Sequence, residues 1–259
     1  MISRLERIGP LAYVAVVLAF LFLPALVVVI FAFEPTKRLS LPLTGLSLNW
    51  FGVVLGSSKF QDALSNSFVA AVSSAVIATA LGTGAAFGLS HLKPSWRQAG
   101  STLFLLPAVV PGLLIGVSLI ILFGLVGFPI GIRSIIIGHI VIVIPFVVLT
   151  VGAQLDRFDR SLLEAARDLG ASGPRATWDV TMPLVRTAII GAAFLAAALS
   201  LDEFVVTFFI NGGVMTGPLL IWGMMRLGID PSINALATLV LAATVVLSVV
   251  AGKITKVQL

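Results

Sequence analysis

Six long apolar stretches alternate with short polar segments along this chain. The apolar stretches cover about residues 11–33, 66–90, 101–126, 134–153, 187–210 and 233–252. A helix needs about 20 apolar residues to cross a hydrocarbon core of ~30 Å, and each stretch reaches that length. Closed β-barrels use much shorter alternating segments, which this sequence lacks. The pattern therefore predicts an all-α integral membrane protein with six transmembrane helices in a single domain, residues 1–259.

The composition excludes several classes of protein. Of 259 residues, 59% are hydrophobic and only 10% are charged, whereas soluble domains carry roughly 25% charged residues. A chain with so few charges cannot cover a water-facing surface, which excludes a soluble enzyme and a disordered chain. The absence of cysteine excludes disulfides, thiolate zinc sites and cysteine nucleophiles.

The basic residues predict the orientation. With the N-terminus inside, 11 of the 16 Lys and Arg residues fall in cytoplasmic segments and 5 fall outside. Cytoplasmic loops normally carry the excess of positive charge, so we expect both termini in the cytoplasm. Topology then accounts for the net charge of +5 without nucleic acid as a partner. The first stretch runs 23 residues without a charge, too long for a signal peptide, and is expected to be a retained span.

Two outer segments, residues 34–65 and 211–232, are long enough to hold structure of their own. The first contains Trp50 and Phe51, and the second contains Trp222. Such rings are typical of the membrane–water interface. The composition leaves two interpretations open, namely aromatic anchors among the lipid headgroups and a docking surface for an external partner.

Small residues and prolines interrupt the apolar stretches. Glycines at four-residue spacing, which allow helices to approach closely, occur as Gly84 with Gly88 and as Gly112 with Gly116. Pro107, Pro111 and Pro145 each lack a backbone donor and are expected to kink their helices. Both features are predicted to serve packing, although a kink can also shape a gate.

The cytoplasmic segment 154–186 is the one long polar loop on that side. It carries five acidic and five basic residues, and Leu162, Leu163, Ala166 and Leu169 recur on one helical face. Gly170 is expected to end this helix in the left-handed conformation. Ser172 is expected to cap a second helix that Pro183 ends. Balanced charge favours protein docking over a helix lying on lipid, which is usually strongly basic.

Within this loop, Glu164-Ala165-Ala166 is followed after three residues by Gly170, and after nine further residues by Val180-Thr181-Met182-Pro183. This spacing resembles the EAA loop of ABC importer permeases. The resemblance implies a type I ABC importer permease in which the loop's coupling helices contact a cytoplasmic ATPase. It assigns that contact to six residues: Glu164, Ala165, Ala166, Asp168, Gly170 and Pro183.

Further stretches resemble the spermidine/putrescine branch of these permeases. They are Asn66-Ser67, Leu106-Pro107, Pro145-Phe146-Val147, Asp168-Leu169-Gly170-Ala171, Ser200-Leu201-Asp202-Glu203-Phe204 and Asn234-Ala235-Leu236-Ala237-Thr238. Glu203 stands where that branch often has a second Asp, which keeps the charge and lengthens its reach. The resemblance implies a small cationic solute such as a polyamine, and a bacterial inner membrane as the location. It implies as partners a homologous permease, dimeric ATPase subunits, an external solute-binding protein and membrane lipid.

The chain lacks a phosphate-binding loop of its own. Gly252-Lys253 is followed by Ile254, and the pattern G-x-x-x-x-G-K-[ST] occurs nowhere. We therefore expect a transport subunit without enzymatic activity, catalytic residues, cofactor or metal, in which ATP and Mg²⁺ are bound by the partner ATPase.

Two acidic residues and one histidine fall inside apolar stretches. Asp202 and Glu203 lie in the fifth, where a carboxylate costs at least ~2.5–3.5 kcal/mol to insert. Neighbours on a helix point about 100° apart, so we expect one to line the translocation path and the other to pack against a helix. The alternative is that both accept hydrogen bonds in a wet vestibule. His139 is expected to be a helix–helix contact, with proton transfer as the alternative.

These intramembrane acids leave one alternative function open. An ion-driven secondary transporter or a channel would use Asp202 and Glu203 without a soluble partner. Co-purification of an ATPase would distinguish the two functions.

Overall fold

The computed structural model describes residues 4–37, 40–159, 161–227 and 231–256. Within these residues the chain is helical and forms no strand. The helices are α1 Arg4–Phe31, α2 Asn49–Gly56, α3 Ser58–Ser90, α4 Pro94–Val109, α5 Gly112–Leu125, α6 Ile132–Asp156, α7 Ser161–Asp168, α8 Gly173–Ala176, α9 Met182–Leu201, α10 Val205–Ile210, α11 Gly217–Leu227 and α12 Ser232–Lys256. A π-helical turn, Thr177–Thr181, joins α8 to α9.

Five helical segments in the described part of the chain are long and apolar enough to cross a membrane. They are Ala12–Phe31, Ser58–Ser90, Ile132–Asp156, Gly173–Leu201 and Ser232–Ile254. The pair α4 and α5 would make a sixth if it forms one span, although its two helices meet at 97°. The predicted class, an all-α membrane protein, is confirmed.

The third apolar stretch is broken where the sequence predicts one helix over 101–126. Helix α4 ends at Val109, and Val110 has an extended backbone with φ −71° and ψ 131°. A residue before proline is disfavoured in the helical region because the proline ring clashes with it. Pro111 therefore stops α4 and stands immediately before α5. Pro107 and Pro145 lie inside α4 and α6, which continue past them.

The fifth apolar stretch is also broken, where the sequence predicts one helix over 187–210. Helix α9 ends at Leu201, and the short helix α10 starts at Val205. Asp202, Glu203 and Phe204 form the connection, here called the α9–α10 break. Both intramembrane acids thus lie outside regular helix.

Pro183 does not end a helix, which corrects the prediction from sequence. Helical structure runs from Gly173 to Leu201, and Pro183 occupies the first turn of α9. Proline cannot donate to the carbonyl four residues earlier and clashes with it. The π-helical turn absorbs this misfit, since the Met182 N–H bonds the Thr177 carbonyl five residues back.

The chain divides into two compact units. The first comprises Met1–Gln61 and Leu220–Leu241, and the second comprises Asp62–Leu219 and Ala242–Leu259. In the second unit, small and β-branched residues of α3, α6 and α9 form one buried core, which includes Ala78, Val147 and Ala196. A neighbouring core joins α5, α6 and α10 and includes Leu119, Ile135 and Ile210.

In the first unit, the segment after α1 folds around a buried acid. Glu34 is fully buried, and its carboxylate accepts the backbone N–H of Thr44 at 2.9 Å and the hydroxyl of Thr36 at 2.8 Å. Trp50 is 8% exposed, and its indole N–H donates to the Glu34 carbonyl at 2.7 Å. Trp50 is therefore part of the core of this unit, which excludes the interpretation as a headgroup anchor for this ring.

Candidate functional site

The turn between α7 and α8 has a regular helix-ending geometry. Gly170 has φ +88°, and its N–H bonds the Arg167 carbonyl at 2.8 Å. The N–H of Ala171 reaches back to the Ala166 carbonyl at 3.0 Å, which completes the pattern that commonly closes a helix at glycine. A glycine is favoured here because a β-carbon makes the left-handed conformation costly.

The start of α7 is fixed by Asp159. Its carboxylate accepts the Ser161 N–H at 3.0 Å, and this bond lowers the pKa of Asp159 below its usual value. Ser172, expected to cap α8, precedes that helix in extended conformation without a side-chain cap bond. Arg160, one of the loop's predicted charges, lies outside the described residues.

The six predicted coupling residues occupy one short segment and one helix start. Glu164, Ala165, Ala166 and Asp168 lie on α7, Gly170 follows at the turn, and Pro183 begins α9. All are exposed except Ala166, which is half-buried.

Large apolar side chains of the same loop face outward in this single chain. Leu169 is 90% exposed and Trp178 is 69% exposed. Helix α7 buries none of its residues fully. Apolar groups exposed beside charged ones are typical of a protein interaction site. We call Leu162, Glu164, Leu169 and Trp178 the coupling surface.

A cavity of about 210 Å³ lies behind α7 in the second unit. It is bounded by the ends of α3 and α6, by α7 and by the π-helical turn. Its lining includes Phe87, His91, Phe158, Glu164, Arg167 and Thr181. Glu164 therefore lies between the loop's outer surface and the helix ends behind it.

An ion pair joins two other segments predicted to be cytoplasmic. Arg97 near the start of α4 pairs with Asp156 at the end of α6. The pair brings the α3–α4 connection and the start of the 154–186 loop to the same end of the second unit. This agrees with the sequence, which assigns both segments to one side of the membrane.

The two acids of the α9–α10 break have different environments. The Glu203 carboxylate accepts the backbone N–H of Val206 at 2.8 Å, so it caps the start of α10. Asp202 is exposed in the single chain, and its carboxylate has no hydrogen bond or ion pair among the described residues. The two acids therefore differ in their contacts, while the expectation that one of them lines a translocation path stays a prediction.

His139 lies beside this break and is 1% exposed. Its Nδ1 is 2.6 Å from the Ser200 hydroxyl of α9, and its Nε2 is 2.7 Å from the Thr207 hydroxyl of α10. Ser74 of α3 bonds Ser200 at 2.9 Å. The Thr207 hydroxyl also lies 3.0 Å from the Glu203 carbonyl. His139 is thus a helix–helix contact, which is the role the sequence favoured.

Sequence reasoning did not identify the hydroxyl partners of His139 or the close approach of α10. A β-carbon built on Gly138 would lie 2.8 Å from Val206, and one on Gly116 would lie 2.6 Å from Phe209. The spacing of Gly112 and Gly116 could have indicated the close approach, since their helix α5 packs on α10. Gly84 and Gly88 have open space around them.

The described residues hold no group of three or more His, Cys, Asp or Glu side chains placed to bind a metal ion.

Comparison with known proteins establishes the family. Residues 78–257 match the binding-protein-dependent transport system inner membrane component. The chain belongs to this family, so the membership predicted from the EAA loop is confirmed. It is a permease subunit of an ABC importer.

Two curated relatives cover nearly the whole chain. The spermidine/putrescine transport system permease protein PotC of Escherichia coli (strain K12) is 32% identical over 248 residues, 95% of this chain and 92% of that protein. The putrescine transport system permease protein PotI of the same strain is 34% identical over 241 residues, 90% of this chain and 85% of that protein.

Solved structures agree on the fold. One is a chain of a bacterial ABC transporter involved in the import of the acidic polysaccharide alginate. It superposes with a TM-score of 0.75 at 14% identity, and the match covers 98% of this chain and 96% of the transporter chain. A chain of the inward-facing MetNI methionine ABC transporter has a TM-score of 0.65 at 16% identity, covering 78% and 98%. At these identities the likeness concerns the fold alone.

Proposed function

We propose that this chain forms, with a second permease, the translocation path of an ATP-driven importer for polyamines. The observation that carries the proposal is the exposed coupling surface on a loop that keeps the EAA spacing. Leu169 and Trp178 would lose their contact with water on binding a partner, which favours association by the hydrophobic effect. A cytoplasmic ATPase is the partner that the family implies.

Coupling would work through the short connection of this surface to a span. Helix α7, the Gly170 turn and the π-helical turn lead directly into α9, since helical structure is continuous from Gly173 to Leu201. A displacement of α7 by the closing ATPase dimer would therefore move α9, and with it the α9–α10 break. Interfaces and packed cores of this kind switch between discrete arrangements.

The proposed solute is a small cation of the polyamine class. Asp202 offers an exposed carboxylate at the break, and the PotC and PotI relatives are named for spermidine and putrescine. Clefts lined by one sign of charge attract solutes of the opposite sign. We assign Asp202 to the translocation path and Glu203 to the support of α10.

The remaining partners follow from the family. ATP and Mg²⁺ would be bound by two ATPase subunits, and the solute would arrive with an external binding protein. A homologous second permease would supply the other wall of the path, because alternating access usually forms between two halves. The location would be the bacterial inner membrane with both termini cytoplasmic.

The test is purification in detergent followed by transport measurements. The wild-type chain should co-purify with an ATPase and a second permease. In proteoliposomes with the binding protein outside and ATP inside, the complex should accumulate labelled putrescine or spermidine. Accumulation that follows an ion gradient and ignores ATP would instead support the secondary transporter.

A variant of the coupling surface tests the observation directly. Leu169→Asp should reduce ATPase co-purification, because it places a charge where apolar contact is needed. Leu46→Asp, another highly exposed leucine outside the loop, is the matched control. Equal ATPase recovery with both variants would contradict the docking role.

A further inference from the structure

We propose that His139 is a positioning residue for transport, which fixes the α9–α10 break and so sets where the Asp202 carboxylate meets the solute. The inference rests on the proposed function, because it assigns a role to a residue outside the path. It goes beyond a helix–helix contact, since His139 bonds both sides of one broken span.

His139 forms one hydrogen bond on each side of the α9–α10 break, and we call this pair of bonds the bracket. Ser200 is the penultimate residue of α9 and Thr207 is the third residue of α10, and opposite edges of the imidazole ring reach their hydroxyls at 2.6 and 2.7 Å. Asp202 and Glu203 lie between these two tied points. Neither helix half can turn relative to α6 without breaking one of the bonds.

A neutral imidazole satisfies the whole network. With the proton on Nε2, the ring donates to Thr207, which donates to the Glu203 carbonyl, while Ser74 donates to Ser200 and Ser200 to Nδ1. With the proton on Nδ1 the chain runs the other way and ends on the Ala70 carbonyl. Each hydroxyl donates once in both cases, so this buried network holds no orphaned group, as a rigid polar cluster requires.

Other contacts of α6 make α10 a fixed element. The Ser134 hydroxyl, five residues before His139 on α6, lies 2.7 Å from the Ile210 carbonyl at the end of α10. Gly138 lets α10 approach α6, since a β-carbon there would lie 2.5 Å from Ile210. Helix α10 is therefore bound to α6 at both of its ends, and His139 is the link that extends this hold to α9.

The bracket would fix the orientation of the Asp202 carboxylate and would leave its charge unchanged. An exposed carboxylate on a three-residue connection has freedom to turn away from a solute, and a misplaced group loses much of its effect. The bracket removes that freedom at a buried position where water cannot replace the lost bonds. Loss of the bracket should therefore leave ATP hydrolysis running while less solute crosses per ATP.

The experiment uses the reconstituted complex with saturating binding protein and labelled putrescine. Thr207→Val removes the bond to α10 with little change of volume, and Ser200→Ala removes the bond to α9. We expect putrescine transported per ATP hydrolysed to fall about fivefold for either variant, the effect of one lost hydrogen bond. His139→Leu should reduce it further, and Thr207→Ser, which keeps the hydroxyl, should restore it.

Thr150→Val is the matched control, because among the described residues the Thr150 hydroxyl bonds only a carbonyl of its own helix α6. A purely structural role would lower hydrolysis and uptake together, in proportion to the amount of folded complex. That result, or Thr207→Val and Ser200→Ala behaving like Thr150→Val, would overturn the proposal. Failure of the proposed function is distinguishable, since the wild-type complex would then show no ATP-driven putrescine uptake.

Discussion

The carboxylate of Glu203 accepts the backbone N–H of Val206 at 2.8 Å, three residues along the chain. An acid that the sequence places inside a membrane span is therefore occupied with capping a short helix. Its neighbour Asp202 remains exposed. The two adjacent acids are expected to respond differently to neutralisation.

Asp202→Asn should reduce polyamine uptake by about tenfold or more, because it removes the charge that attracts the cation. Glu203→Gln should stay within about twofold of wild type, since an amide oxygen still accepts the Val206 N–H. Glu203→Ala should lower the free energy of unfolding by about 1 kcal/mol through loss of the cap. Labelled-polyamine uptake and thermal unfolding in detergent measure these effects. Unchanged uptake with Asp202→Asn at normal expression would remove Asp202 from the path.

Gly170→Val should yield a complex that is either unassembled or assembled but uncoupled. The backbone at Gly170 has φ +88°, where a β-carbon costs about 1–2 kcal/mol. Co-purification of the ATPase and ATP-dependent uptake are the measurements. Gly152→Val is the control, because Gly152 lies in α6 without a positive φ, and its β-carbon position has open space among the described residues. Wild-type uptake by Gly170→Val would argue against the coupling role.

Single cysteines test the orientation, and the natural chain supplies a cysteine-free background. An impermeant maleimide added to spheroplasts should label Ser40→Cys and leave Ser172→Cys unlabelled. Inverted vesicles stripped of the ATPase should show the opposite pattern. Both positions are exposed in the structure, so burial within the chain does not prevent labelling. Labelling of Ser172→Cys from outside the cell would place the coupling surface on the wrong side for an ATPase.

Glu34 should make the stability of the first unit depend on pH. The hydrogen bond from the Thr44 hydroxyl lowers the pKa of Glu34 most, whereas burial raises this pKa. The backbone N–H of Thr44 and the hydroxyl and N–H of Thr36 lower it further, so that the pKa falls from a usual 4.5 to about 2. A lowered pKa stabilises the fold above pH 4.5, and this contribution is lost as the pH falls toward 2.

Glu34→Gln should therefore lower the unfolding temperature most above pH 5, because one carboxylate oxygen is replaced by an amide donor that faces other donors. The difference from wild type should shrink as the pH falls below about 4.5. Glu164→Gln, an exposed acid on α7, is the control. An unfolding temperature that differs from wild type by the same amount at pH 7 and at pH 3.5 would show that the charge of Glu34 contributes nothing to stability.

The sequence alone was sufficient for the fold class and the family. Apolar stretches of 20 residues or more are long enough to reveal spans, and the EAA spacing places Glu164 and Gly170 at fixed distances along one loop. These signals are local, because a helix forms its backbone hydrogen bonds within one segment and a turn depends only on the residues that form it. The left-handed Gly170 and the helix before it required no information from the rest of the chain.

The breaks could not be predicted from local pattern. Pro111 was expected to kink a helix, and the structure shows that it separates two helices meeting at 97°. Pro183 was expected to end a helix, and a π-helical turn carries the helix past it. The outcome at each proline depends on whether neighbouring helices can accept the changed direction, which is a property of packing.

The sequence by itself determined that this protein is an all-α membrane protein of the permease family, because hydrophobic length and motif spacing are properties of consecutive residues. Only the tertiary structure decided the contacts of Glu203 and His139 and the exposure of Asp202. Ser200 and Thr207 contact His139, and Ser74 bonds Ser200, although His139 and Ser74 lie about 60 and 125 residues before Ser200 in the sequence. Buried polar groups must find partners wherever the fold brings them, so those partners emerge only when the helices pack.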